Sequence, residues 1–277
     1  MAAGSLLSTV PELMQWGLRG PAPSPGRAMR LKLLAVVAFL ALWSAVAGAV
    51  LLLKLFNPIF FPGPWVVIAE LAALARKGHL WGHLAATLQR VAIGFSTGAV
   101  AAILLGLPCG HFPKARNVVE PVVELLRPIP PLAMLPLFIV WVGIGEGSKV
   151  GFITYATFFP MFLTTVHAVS RLDPLLMRAA QSLGATPRQL FVRVILPAAL
   201  PEMLTGLRLG IALSFFVIVI AEFIGAESGL GYLINDGRNF FLVPQMLGAA
   251  VLLGVLGYAG NALVRLAERR LLRWQHP

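Results

Sequence analysis

MLTGLRLGIALSFFVIVIAEFIG, residues 203–225, is a long apolar run in which only Arg208 and Glu222 are charged. Roughly 20 apolar residues in helical form cross the hydrocarbon core of a bilayer, which is about 30 Å thick. A run of this length with so few charges is therefore predicted to be a membrane-spanning helix. The chain that contains it is predicted to be an integral membrane protein.

The composition of the whole chain agrees with this prediction. Of the 277 residues, 58% are hydrophobic and only 12% are charged, more apolar surface than a soluble fold of this length could bury. The net charge of +11 would suggest nucleic-acid binding in a soluble protein. Here the basic residues lie between apolar segments and act as orientation signals, so lipid is the expected partner and nucleic acid is not. The single cysteine, Cys109, excludes an intramolecular disulfide.

Apolar runs of suitable length predict about six spanning helices in an all-α, polytopic membrane bundle. The predicted spans are approximately 33–53, 91–109, 129–145, 150–169, 203–225 and 246–266. The third span is interrupted by Pro128, Pro130, Pro131 and Pro136. Broken helices at membrane depth are tolerated where they face protein or a water-filled cavity, which makes Pro136 a candidate pathway residue.

Lys and Arg residues predict the orientation of the bundle, because cytoplasmic loops of membrane proteins are enriched in them. Most of them fall in segments that are inside when the N-terminus is inside, so both termini are predicted to be cytoplasmic. The minority counted as outside are Lys54, Arg76, Lys77, Arg90, Lys149 and Arg238. Residues 1–29, with a Pro/Gly-rich run at 20–26, are predicted to be a flexible cytoplasmic tail, and residues 30–277 the membrane domain. Within the 54–90 connection, residues 65–80 predict a helix lying in the membrane interface.

Glycines spaced four residues apart predict close helix packing inside the bundle, because they let helix backbones approach. The pairs are Gly94/Gly98, Gly106/Gly110 and Gly206/Gly210.

The loop 171–201, between the fourth and fifth predicted spans, carries the clearest local signals. Asp173–Pro174 and Thr186–Pro187 each place a capping residue before a proline that suits a first helical position, so two short helices are predicted. Gly184 falls where the first helix must end and can adopt the left-handed conformation. Pro197 and Pro201 are predicted to end this pair of short helices and to lead into the fifth span.

Each of these short helices is predicted to carry an apolar stripe, while Arg188, Gln189 and Arg193 face solvent or a partner. The stripes consist of Leu175, Leu176, Ala179, Ala180 and Leu183 in the first helix, and of Leu190, Phe191, Val194 and Ile195 in the second.

Ala179–Ala180, Gly184 and Ile195–Leu196–Pro197 resemble the Glu-Ala-Ala loop of ABC importer permeases, the inner membrane components of binding-protein-dependent transport systems. The resemblance extends over residues 80–258. It is strongest to the nitrate/sulfonate/taurine/bicarbonate subgroup, through TLQRVAIGFSTG (87–98), LRPIPPLAMLPLFIVWVGIGE (126–146), LTGLRLGIALSFFVIVIAEFIGA (204–226) and GLGYLI (229–234). Arg178 stands where the family's signature glutamate would be.

This resemblance implies a type I importer permease fold and a non-enzymatic transport subunit of the bacterial inner membrane. It further implies a homodimer, a cytoplasmic ATP-binding-cassette ATPase dimer that binds ATP and Mg, and an extracytoplasmic solute-binding protein. The solute would be a small anion, with sulfonate or taurine ahead of nitrate. The implied ATPase-coupling residues are Arg178, Ala179, Ala180, Gly184, Ala185, Thr186, Pro187, Arg188, Leu190, Phe191 and Pro197.

Two ionisable residues inside a span are candidates for the pathway or a gate, namely Arg208 and Glu222. They lie about 21 Å apart along the helix axis, so they cannot pair with each other and need partners on neighbouring helices. His79 and His83 have the spacing of a metal pair, but no third ligand completes a site, and no metal or cofactor is expected in this chain. GIGEGSK (143–149) lacks the order of a phosphate-binding loop. The alternative function, a stand-alone secondary transporter, should show internal repeats, and none is found.

Overall fold

The computed structural model describes residues 25–54 and 57–275, and all regular structure in them is helical, as predicted. The chain divides into two compact units, one ending at Pro64 and the other beginning at Trp65. In the first unit, α1 (Pro25–Leu53) is followed by a 3₁₀ turn, Pro58–Phe60, which Asn57 caps by accepting a hydrogen bond from the Ile59 N–H. Positions 25–29 of the predicted tail are therefore helical, and 1–24 lie outside the described residues.

The helices after the 3₁₀ turn follow one another through short connections. They are α2 (Pro64–Arg76), α3 (His79–His111), α4 (Pro113–Leu126), α5 (Pro131–Val142), α6 (Glu146–Ser170), α7 (Pro174–Ser182), α8 (Pro187–Leu190), α9 (Leu196–Gly225), α10 (Leu230–Asn239) and α11 (Val243–Leu271).

Five helical segments are long and apolar enough to cross a membrane, and the described chain reaches six if one bent pair is counted as a span. The five are Met29–Leu53, His79–His111, Glu146–Ser170, Pro187–Gly225 and Val243–Leu271. The second begins at His79, twelve positions before the predicted start at Val91, so Arg90 lies inside a helix and not in a loop. The apolar-run criterion missed this first part of α3 because polar and aromatic side chains interrupt it.

The bent pair consists of α4 and α5, whose axes differ by 98°. The predicted third span, 129–145, is reduced to α5, a 12-residue helix. At its length of about 18 Å, α5 is too short to cross a bilayer core on its own. Pro128, Pro130 and Pro131 lie at the break between the two helices, where a proline cannot supply the backbone N–H that a continuous helix needs.

α6 lies at the centre of the second unit and packs against α3 on one side and α9 on the other. The predicted glycine pairs make both interfaces. A Cβ atom at Gly94 would lie 2.6 Å from Ile153 Cβ, and one at Gly110 would lie 2.6 Å from Val169 Cβ. On the other side, a Cβ at Gly210 would lie 2.7 Å from Met161 Sδ. The prediction that these glycines mediate close packing is confirmed, because a Cβ atom at any of these positions would overlap a side chain of α6.

A π-helical turn, Phe191–Ile195, joins α8 to α9. The Leu196 N–H donates to the Phe191 carbonyl, five residues back, and Pro197 comes directly after. Pro197 and Pro201 lead into the fifth span as predicted, but the prediction that they end the second short helix is wrong, since the chain remains helical from Pro187 to Gly225. The wider turn accommodates Pro197, which has no N–H to donate into a regular α-helical ladder.

Candidate functional sites: a capped loop and a buried charge cluster

The first helix of the 171–201 loop has the predicted ends. The Asp173 carboxylate accepts a hydrogen bond from the Leu175 N–H at 2.8 Å and caps α7. At the other end, Gly184 has a φ of +80°, and the Gly184 and Ala185 N–H groups donate to the Gln181 and Ala180 carbonyls. This pair of bonds is the Schellman motif, which needs a left-handed residue and so favours glycine.

The second helix begins with a complete capping box. The Thr186 hydroxyl accepts from the Gln189 N–H, and the Gln189 side-chain carbonyl accepts from the Thr186 N–H at 2.9 Å. These reciprocal bonds satisfy two backbone donors that a helix start leaves free. The loop is therefore held in one conformation by interactions within its own sequence.

The two predicted apolar stripes differ in what they contact. In the second, Leu190 and Ile195 are buried among Ala168, Val169, Ala199 and Met203. In the first, the members Leu175, Leu176, Ala179 and Leu183, called the apolar ridge from here on, are exposed, and Leu183 is 89% exposed. α7 instead turns Met177 and Ala180 toward the bundle. The loop thus presents an apolar surface that nothing in the described chain covers.

A cleft of about 360 Å³ opens beside this ridge. It brings together predicted residues from both short helices and from the π turn. Its lining consists of Ala180, Leu183, Gly184, Ala185, Gln189, Arg193 and Val194. Three of these lining residues, Ala180, Gly184 and Ala185, are small, and one, Arg193, carries a positive charge.

The remaining predicted loop residues lie around the cleft without lining it. Arg178 and Arg188 are exposed, and Arg178 Nε donates only to the Pro174 carbonyl of its own helix, at 3.4 Å. Thr186 and Pro187 are exposed at the start of α8. Phe191 is half-buried, and Pro197 follows the π turn in sequence. At position 178 the chain therefore presents an exposed cation that has no ion-pair partner among the described residues.

The other end of the bundle contains a group of four charged residues, Arg90, Glu146, Lys149 and Glu222, called the charge cluster from here on. Arg90 of α3 donates from Nε and Nη2 to the two Glu146 oxygens at 2.6 and 2.8 Å, and from Nη1 to Glu222 Oε1 at 2.7 Å. Lys149 Nζ lies 3.1 Å from Glu146 Oε1. Two positive charges and two negative charges are thereby balanced, and Arg90, Lys149 and Glu222 are all buried. Such pairing is what makes buried charges tolerable.

Glu222 also orients the turn that follows α9. Its Oε2 accepts the Gly231 N–H at 2.7 Å, and its Oε1 accepts the Thr87 hydroxyl. Thr87 in turn accepts the Leu230 N–H, so the free N–H groups at the start of α10 are bound by buried side chains. Gly229, with φ at +126°, packs directly against the Glu222 carboxylate and leaves no room for a Cβ.

The expectation that Glu222 needs a partner on another helix is confirmed, but the partner itself was missed. Arg90 and Lys149 were counted as loop charges, and Glu146 was not singled out. The available signals were the three-residue spacing of Thr87 and Arg90 in one helix, and of Glu146 and Lys149 in another. Neither spacing predicts which helices pack against each other.

Arg208 forms an ion pair with Glu268 of α11, which joins α9 to α11 near the end that bears the loop. It does not contact Glu222, as predicted. Its Nε atom is buried without a hydrogen-bond partner among the described residues, and the same holds for Oδ1 of Asn261 on α11.

Pro136 lies inside α5 and is exposed. Of the histidine pair, His83 is engaged within the protein. Its Nδ1 accepts the Gly229 N–H at 3.0 Å, and its ring stacks on Tyr232.

Comparison with known proteins identifies the family. Residues 98–273 match the family described as binding-protein-dependent transport system inner membrane component, and the chain belongs to that family. The chain is 36% identical to the taurine transport system permease protein TauC of Escherichia coli, over 90% of each protein. It is 33% identical to the putative aliphatic sulfonates transport permease protein SsuC of Bacillus subtilis, over 99% of this chain and 97% of the relative.

A solved amino acid ABC transporter has the same fold. Its matching chain superposes with a TM-score of 0.60 at 18% sequence identity, over 72% of this chain and 97% of that one. The chain is therefore a permease subunit of an ABC importer with the type I fold, a multi-pass protein of the bacterial inner membrane. The resemblance to ABC importer permeases is confirmed, and so is the resemblance to the subgroup that includes sulfonate and taurine permeases.

Proposed function

We propose that this chain forms the translocation pathway for a small organosulfonate and is driven by a separate ATPase that docks on the 171–201 loop. The relatives named for taurine and aliphatic sulfonates support the solute class. The observation that carries the coupling role is the exposed apolar ridge beside the small-residue cleft.

The ridge has the character of an interface and not of a solvated loop surface. Leu175, Leu176 and Leu183 are 64%, 44% and 89% exposed. Burying one leucine side chain gains about 2 kcal/mol, so a partner that covers all three gains several. The capping box and the Schellman motif hold the loop rigid before docking, which reduces the entropy lost on association.

In this proposal two copies of the chain form a homodimer, because each chain offers one loop and an ATPase dimer needs two. ATP and Mg bind to the ATPase. Closure of the ATPase dimer draws the loops together and switches the bundle between two packed states. An extracytoplasmic binding protein delivers the solute on the opposite side, where the charge cluster lies if both termini are cytoplasmic.

The test is uptake of labelled taurine and of methanesulfonate into proteoliposomes that contain the chain, its ATPase and its binding protein. We expect ATP-dependent uptake, and Gly184→Trp is expected to abolish it because the indole fills the cleft. The control is Gly78→Trp. Gly78 has nearly the same φ, +79° against +80°, and open space around its Cβ position, but it lies outside the loop.

Three results would contradict the proposal. Normal uptake by Gly184→Trp would exclude docking on the loop. Uptake driven by an ion gradient without the ATPase would favour the alternative, a stand-alone secondary transporter. Absence of uptake for both sulfonates, with ATPase activity intact, would exclude the solute class.

A further inference from the structure

The cations and the carboxylate of the charge cluster differ in how deeply they are buried. Arg90 and Lys149 are 4% and 5% exposed, whereas the side chain of Glu146, which binds both, is 61% exposed. The two cations are fixed inside the protein, and the carboxylate that neutralises them reaches in from the surface. We propose that Arg90 and Lys149 form an anion seat which Glu146 occupies at rest, and that the sulfonate group of the solute displaces Glu146 from it. The solute class in this inference rests on the proposed function.

The hydrogen-bonding geometry of the seat suits a sulfonate. Nε and Nη2 of Arg90 point side by side at two oxygens of one acid group, and Lys149 Nζ reaches one of the same oxygens. A guanidinium binds tetrahedral oxyanions through the same two-pronged contact that it makes with a carboxylate. A sulfonate carries three oxygens on one sulfur, so it can accept both Arg90 bonds and the Lys149 bond at once.

The two acids of the cluster have different roles. Glu222 is buried and binds Thr87 and Gly231 as well as Arg90, so it stays in place. Glu146 accepts hydrogen bonds only from Arg90 and Lys149 among the described residues. Lys149 Nζ has no other partner in the described part of the chain. Removing Glu146 therefore leaves a buried ammonium unpaired, a state that is unfavourable unless another anion replaces the carboxylate.

The backbone next to Glu146 permits this exchange. Glu146 is the first residue of α6, and two glycines precede it within three positions. Gly143 has a φ of +87°, and neither Gly143 nor Gly145 has a neighbouring atom within 4 Å of its Cβ position. The segment before α6 is thus uncrowded, and the Glu146 side chain can turn outward without displacing packed residues.

Glu146 also sets the anion concentration that is needed for binding at the seat. A tethered group competes at an effective concentration of about millimolar or higher, so a dilute free anion does not displace it in the native chain. A solute that is delivered directly to the seat displaces Glu146, since the exchange conserves both charge and hydrogen bonds. The seat therefore selects for delivered solute over bulk anions.

The experiment measures thermal unfolding of the purified chain in nanodiscs, with sodium methanesulfonate compared against sodium chloride at equal ionic strength. Glu146→Gln removes the resident charge and keeps the side-chain shape. We expect its midpoint to rise by about 3 °C once methanesulfonate exceeds its dissociation constant roughly tenfold, with no comparable rise in chloride. The native chain should respond much less.

Two controls locate the effect. Glu227→Gln makes the same change of charge on an exposed acid of the neighbouring turn that has no ion pair in the described residues, and it should behave like the native chain. Glu146→Gln combined with Lys149→Met removes half of the seat and should lose the response. Should Glu146→Gln fold poorly, Glu146→Asp keeps the charge but withdraws it by one methylene, and its response should lie between those of the native chain and Glu146→Gln.

The proposal is wrong if Glu146→Gln and Glu146→Asp respond equally to the two salts, because the cluster is then a structural clamp only. It is equally wrong if the double variant keeps the full response, since the anion would bind elsewhere. The assay uses neither ATPase nor binding protein. The unfolding result therefore does not depend on whether the proposed transport cycle is correct. If the anion-seat proposal is wrong, the proposed transport function is unaffected.

Discussion

Arg90 and Glu222 form a buried ion pair, with Nη1 of Arg90 2.7 Å from Oε1 of Glu222, although 132 residues separate them in sequence. The pair ties α3 to α9 and, through the Gly231 N–H, to the start of α10. Without the Glu222 charge, the buried cations Arg90 and Lys149 would share one counter-charge, Glu146. An uncompensated buried charge costs more free energy than replacing a whole buried pair by apolar residues.

Glu222→Gln is therefore expected to destabilise the chain strongly. The amide keeps the size of the side chain and one acceptor, but it removes one of the two negative charges that balance Arg90 and Lys149. The expected loss is about 3 kcal/mol, or roughly 6 °C or more in the unfolding midpoint for a chain of this size. Thermal unfolding in nanodiscs measures it, with Glu227→Gln as the control. Equal midpoints for the two variants would show that the pair contributes no stability.

Gly106→Ala and Gly254→Ala should shift stability in opposite directions. A Cβ at Gly106 would lie 2.8 Å from Thr165 Cβ, inside the contact between α3 and α6. Separating these helices costs about 1–3 kcal/mol. A Cβ at Gly254 of α11 has open space around it, so alanine there only improves helix propensity, by up to about 1 kcal/mol. Unfolding midpoints of the two variants measured side by side check the sign, and a loss at both positions would contradict the packing argument.

The ion pair of Arg208 and Glu268 should behave as a replaceable link between α9 and α11. Its side chains are 34% and 25% exposed, so we expect it to contribute about 1 kcal/mol. Arg208→Glu should lower the unfolding midpoint, and the exchanged variant Arg208→Glu with Glu268→Arg should recover most of the loss. Arg238→Glu is the control, because Arg238 is an exposed residue of α10 with no ion pair in the described residues, so any loss there should not be recovered by Glu268→Arg. A double variant no better than Arg208→Glu alone would rule out a direct interaction.

Leu183→Gln should separate assembly from folding. Leu183 is 89% exposed, so its substitution should leave the unfolding midpoint of the isolated chain unchanged. On the apolar ridge, however, it should weaken association with the ATPase, measured as the fraction of ATPase that co-purifies with the chain. The control is Leu125→Gln, on the 75% exposed Leu125 of α4, which should leave co-purification unaffected. Equal co-purification of the two variants would exclude the ridge as the docking surface.

The sequence alone was sufficient for the membrane class, for most spans and for the local structure of the 171–201 loop. Asp173, Gly184 and Thr186 adopt their predicted roles because each bonds to backbone or side-chain atoms only two to five residues away. Such interactions depend on neighbouring residues and not on the rest of the fold. The glycine pairs predicted close packing for a related reason: a glycine has no side chain wherever it lies in the fold, so it always permits another helix to approach.

Only the tertiary structure showed which groups these elements bring together. The sequence could state that Glu222 needs a partner, but the partner, Arg90, lies on a helix whose first turns are too polar to be recognised as part of a span. The exposed position of Leu183 was equally hidden, because an apolar stripe looks the same whether it faces a core or a partner. Local capping energies are fixed by adjacent residues, whereas charge pairing and burial depend on how distant helices pack.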